Sequence, residues 1–129
     1  MKTELILEIK ETTERDYDGF DIVTTDQVIQ VLISNRSDCC EIWGHFVVND
    51  DPKEFLGASL LGIELTDTAL NTKILSKELE YGVDNGGIVF VNLKTNLGTL
   101  QFAVYNSHNG YYGHTVVIKS KQLNHEEDV

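Results

Sequence analysis

The stretch Ile88–Asn106, IVFVNLKTNLGTLQFAVYN, constrains the fold of this chain more than any other. Its two runs, Ile88–Thr95 and Thr99–Asn106, alternate apolar and polar residues with a period of two, the pattern of a pleated strand with one face buried. Asn96, Leu97 and Gly98 lie between them as a three-residue turn, so the segment specifies an antiparallel β-hairpin. A third run, His114–Lys119, follows Ser107–Gly113 and is expected to pair with the second as a three-stranded meander.

The strand signal recurs upstream. Leu5–Lys10 alternates, with Leu5, Leu7 and Ile9 on one expected face, and ETTERDYDGFD (residues 11–21) reads as a solvated acidic turn around Gly19. Phe20–Thr24 and Val28–Ser34 are strands joined by a turn at Asp26-Gln27. Glu41–Val48 is a strand with Ile42, Trp43, Phe46 and Val47 as core candidates and Gly44 as a bulge. In NDDPKEFLG, Asp50 or Asp51 as N-cap, Pro52 at the first helical position and Gly57 as a stop predict one short helical turn. ASLLGIELTD reads as strand, residues 68–82 as helix or strand, and DNGG at 84–87 as a turn. The expected fold is α+β: mostly antiparallel sheet with six or seven strands and one or two short helices. A single globular domain spans residues 1–123, and 124–129 form a frayed acidic tail.

Charge narrows the partners. The 129 residues carry 21 acids and 10 bases, net −11, which opposes direct binding to nucleic-acid phosphates. The imbalance is uneven: residues 1–84 hold 18 acids and seven bases, whereas 85–125 hold three lysines and no acid. Strands are depleted in acids in general; an acid-free region also suits an anionic ligand, which carboxylates would repel. No apolar run approaches the ~18 residues of a membrane span, and MKTELILEIKETTE lacks the continuous apolar core of a signal peptide, so a cytoplasmic location without membrane contact is expected.

Cys39 and Cys40 are adjacent, which suits free thiols in a reducing compartment and does not match the spaced pairs of a zinc site, so no metal and no cofactor is expected. Either thiol with a histidine would meet the ingredient list of a cysteine hydrolase, but Asp38 and Glu41 disfavour the thiolate. The reading therefore leans away from an enzyme. The segment SHNGYYGH, 107–114, is richer: its glycines permit close backbone approach, and Tyr111 and Tyr112 offer stacking faces. Asn106, His108, Asn109 and His114 supply donors beside them. The alternative is an ordinary turn whose Asn-Gly serves the backbone.

Asp38-Cys-Cys-Glu41 and Ser107-His-Asn-Gly-Tyr-Tyr112, with FLGASLLGIELTD between them, resemble a widespread family of small phage- and prophage-encoded domains of unknown function marked by a DCCE segment and a C-terminal SNGYY-like segment. The likeness covers roughly residues 20–118; His108 and Gly113-His114 depart from the family's form. It implies a shared pocket in which loop 35–41 lies beside loop 106–114. Cys39 and Cys40 would form a soft wall, Trp43, Tyr111 and Tyr112 a stacking surface, and Arg36, Lys94 or the histidines the counter-charges. The expected function is a non-catalytic, phage-type counter-defence protein that sequesters an anionic small molecule such as a nucleotide immune signal in the host cytoplasm; a homo-oligomer is left open. The alternative is an acidic, anti-CRISPR-like inhibitor whose Glu11, Glu14, Asp16, Asp18 and Asp21 imitate nucleic acid and bind a host nuclease or effector directly. A cysteine-dependent enzyme is the third reading.

Overall fold

Alternating apolar residues from two sheets meet face to face in one core. The computed structural model describes residues 3–35, 42–66, 87–107 and 114–129. Its strands are β1 (Ile6–Glu14), β2 (Tyr17–Thr24), β3 (Val28–Ser34), β4 (Ile42–Val47), β5 (Leu60–Thr66), β6 (Gly87–Thr95), β7 (Gly98–Ser107), β8 (Thr115–Lys119) and β9 (His125–Asp128). One sheet runs β1-β2-β3-β8-β9 and the other β4-β7-β6-β5, with antiparallel neighbours throughout. Phe20, Ile22, Ile29, Val31, Ile33, Val116 and Ile118 of the first sheet pack against Val89, Val91, Leu93, Leu100, Phe102 and Val104 of the second.

The α+β expectation is thus overturned: among the described residues the protein is nearly all β, with nine strands in two sheets and no helix beyond a 3-10 turn at Pro52–Phe55. The local signals there were sound. Asp51 accepts the Lys53 N–H, Pro52 opens the turn and Gly57 leaves it at φ +84°. Start and stop stand too close together for an α-helix to propagate. The helix-or-strand question over residues 68–82 lies outside the described residues.

The first sheet begins with a longer hairpin than its composition suggests. Residues 11–14 and 17–19, expected as a solvated turn, are strand, β2 running on into the expected Phe20–Thr24, and only Arg15-Asp16 turn the chain. Gly19 is therefore mid-strand and buried. A Cβ there would collide with the Val31 carbonyl oxygen, so glycine lets β3 close on β2. A register shift between Ile6 and Glu8 turns Leu7 out to solvent and puts Ile6 and Ile9 on the core side, in place of the expected Leu5, Leu7 and Ile9 face. The β2–β3 turn forms as expected, with Thr24 Oγ1 accepting the backbone N–H groups of Asp26 and Gln27.

In the second sheet β4 pairs beside β7, completing a Greek-key order with β6 and β5. Gly44 makes no bulge; its missing side chain leaves room for Tyr105, whose hydroxyl a Cβ would approach to 2.9 Å and whose ring to 3.1 Å. Both faces of β7 are buried: Leu100, Phe102 and Val104 face the core, while Ala103 and Tyr105 join Phe46, Val48 and Phe90 in a second apolar cluster. The buried Gln101 Nε2 on that second face donates to Asn92 Oδ1 at 2.7 Å. Residues 57–60 join the sheets at one corner: Ile6 N donates to Ala58 O, Gly57 N to Ile6 O and Leu60 N to Glu4 O. His45 adds a further tie, its ring edge-on to Phe20 and its Nε2 3.6 Å from Glu11 Oε1.

The meander expected across β6, β7 and the following strand is only half present. β6 and β7 form the hairpin, but β8 leaves that sheet and pairs with β3. β7 and β8 therefore belong to different sheets, and the residues between them, expected as a turn of the meander, lie outside the described residues. The expected frayed tail is also corrected: His125–Asp128 pair with β8 as β9.

Candidate functional site

Three of the sequence-nominated residues fall within the described structure, and the fold brings them together. Trp43 on β4 and Asn106 on β7 are register partners, and the His114 ring stacks on Trp43 with centroids 5.4 Å apart and planes at 28°. His114 is 1% exposed and Asn106 fully buried, so both form the floor of this end of the sandwich, while Trp43 is only half-buried. His114 Nδ1 lies 2.7 Å from the Ser34 carbonyl oxygen, which can only accept. Nδ1 therefore carries the proton, which fixes the tautomer and the ring plane.

The backbone finishes the cluster. His114 N donates to Val129 O at 3.0 Å, Val129 N returns a bond to His114 O at 2.9 Å, and Asn106 Nδ2 also donates to Val129 O at 3.0 Å. Gly87 opens β6 opposite Asn106, where a Cβ would stand 3.2 Å from that of Val129. Sequence reasoning missed Ser34, Gly87 and Val129. Ser34 and Val129 bond through their backbones and Gly87 makes room by its missing side chain, roles set by partners distant in sequence.

Arg36, Cys39, Cys40, His108, Asn109, Tyr111 and Tyr112 lie outside the described residues. The described residues flanking their segments are neighbours, however: Ile42 pairs with Ser107, and His114 bonds Ser34, one residue before Asn35. Lys94, considered as a counter-charge, is far from this end. It lies seven residues along β6 from Gly87, about 23 Å at strand rise, and pairs with Glu64 at 3.2 Å. Two carboxylates stand close to the cluster, each accepting a hydrogen bond: Asp18 from Asn35 and Asp128 from Thr115.

The acidic hairpin offers no single anionic face. Glu11 and Asp18 share the face of Phe20, whereas Glu14 and Asp21 point to the other, and Asp16 sits in the turn. A groove of about 390 Å³ on the outer side of the first sheet carries Arg15 and Lys119 as well as Glu14, Asp16 and Glu126. Among the described residues no group of three His, Cys, Asp or Glu side chains is placed to hold a metal, and no helix is long and apolar enough to cross a membrane.

The described residues and this end cluster define a nearly all-β, two-sheet domain with an aromatic, hydrogen-bonded floor where β3, β4, β7 and β8 meet. The family model described as Domain of unknown function (DUF7448) matches residues 3–118, and the chain belongs to that family. No curated protein and no solved structure matches it.

Proposed function

We propose that this domain is a non-catalytic binding protein that takes an anionic small molecule, nucleotide-like in chemistry, at the Trp43 end of the sandwich. The observation that carries the reading is the convergence of Trp43, Asn106 and His114 with the described flanks of both marked segments. An indole braced on one side by a fixed imidazole is a pre-set stacking surface, and aromatic rings recognise bases by their π-faces. The buried Asn106 and His114 set its position; ligand contact falls to Trp43 and to the side chains of the two segments. The resemblance to phage-encoded domains supports a role in counter-defence within a host cytoplasm, where sequestering a nucleotide signal needs affinity and no chemistry.

Isothermal titration against cyclic and ADP-ribose-type nucleotides tests this, with emission of Trp43, the only tryptophan, as a second readout. Binding is expected to quench Trp43 and to weaken at least about tenfold, a loss of ~1.4 kcal/mol, in Trp43→Ala and in Tyr111→Ala with Tyr112→Ala. Absence of binding across the panel, or affinity untouched by these substitutions, would count decisively against it.

A further inference from the structure

We infer that the terminal strand β9 is a strap that sets the site, with Val129 positioning His114 and Asn106 and, through His114, the ring of Trp43. His114 precedes β8, and its two backbone bonds to Val129 continue the β8–β9 ladder one step past the Thr115 and Asp128 pair. The Val129 carbonyl also takes the Asn106 side-chain N–H, and the Val129 side chain packs over Gly87. One residue thus joins the entry to β8, the end of β7 and the start of β6, which belong to different sheets.

Besides these bonds the strap is held by its short ladder with β8, by the Thr115 hydroxyl donating to Asp128 and by Val129 packing at the edge of the core. The β9 side chains are largely solvent-facing, with Glu127 beside His125 and Asp128 accepting from Thr115. Short ladders with exposed side chains sit at the low-stability end of a fold, so β9 can open without the core. It also lies outside the residues matched to the family, so family membership does not account for it. Release of β9 removes the two backbone bonds at His114 and the Val129 bond to the Asn106 amide, so the imidazole, still bonded to Ser34 O, shifts against the indole.

The inference rests on the proposed ligand site only for its functional consequence, and its test uses no ligand, so the two readings fail separately. A chain ending at Asn124 is expected to keep its β-sheet circular dichroism and cooperative unfolding. Its Trp43 emission should shift by several nanometres, because the imidazole stacked on the indole changes position. Hydrogen exchange at the His114 amide and the Asn106 side-chain amide should accelerate about fivefold or more, while β2 and β3 amides keep their rates. Unchanged emission and exchange in a folded truncation overturn the inference. If the truncation does not fold, Val129→Pro is read in its place, since it keeps the strand but removes the N–H that bonds His114 O. A shifted Trp43 emission supports the strap, native-like emission overturns it, and failure of this variant to fold also overturns it by making β9 part of the core.

Discussion

At Gly19 the backbones of β2 and β3 approach so closely that an added Cβ would lie 1.9 Å from the Val31 carbonyl oxygen and 2.9 Å from Leu32 Cα. Both neighbours are backbone in a paired strand, so neither can swing aside as a flexible side chain would. Gly19→Ala is therefore expected to separate β2 from β3 and to cost about 3 kcal/mol or more, the upper range for forced overpacking. Urea denaturation would show this as a lowered midpoint, and a loss under ~1 kcal/mol would mean that the two strands relax apart freely. Nothing local in DYDGFD distinguishes this glycine from a turn glycine, because the close approach is made by a strand twelve residues away. The same limit hid Gly87 and Val129.

Across the β5–β6 ladder, Glu64 stands opposite Asn92, and the Asn92 amide donates to Glu64 Oε1 at 3.3 Å while Lys94 Nζ lies 3.2 Å away. The Asn92 hydrogen bond first, and Lys94 after it, hold the Glu64 carboxyl below its usual value. A carboxyl depressed by folding lends stability at neutral pH, which is lost as pH falls through its lowered folded value. Glu64→Gln should accordingly melt below wild type at neutral pH, with the gap closing in acid; a gap that persists at about pH 2, below the whole carboxylate range, would contradict this account. Pairing of this kind is also where the sequence was most legible. The β6–β7 hairpin was readable because strict alternation and an Asn-Leu-Gly turn agree with each other. The sheet of β8 was not, because an alternating strand satisfies its apolar face equally in either sheet, and Val116 and Ile118 reach the same core from β3's side. β1 beyond Lys10 lacked an apolar face, since its outer residues line an exposed ribbon, and so read as loop. Of the candidate site, Trp43, Asn106 and His114 were legible as aromatic and polar residues beside strand ends; their meeting depends on the crossing between sheets.

Over the whole molecule, the net charge of −11 opposes compaction, and the β1–β2 hairpin concentrates the strain. Gln30 Nε2 holds Glu14 Oε1 at 2.7 Å and Asp21 Oδ1 at 3.0 Å, so two carboxylates converge on a neutral amide where a cation would compensate them. The cross-strand bases of this face are Lys10, opposite Asp21, and Lys119, opposite Gln30. The screening length falls from about 30 Å at 0.01 M salt to about 8 Å at 0.15 M, which should relieve this repulsion and raise the melting temperature across that range. Gln30→Lys should supply the missing charge directly, raising the low-salt melting temperature by about 2 °C and flattening its salt dependence; the gain is small because exposed pairs are worth under ~1 kcal/mol. Melting curves of both proteins over a salt series decide it. Equal slopes for the two would show that the repulsion lies elsewhere, and a wild-type curve falling with salt would mean that attractive pairs such as Lys94–Glu64 and Lys121–Asp26 outweigh it.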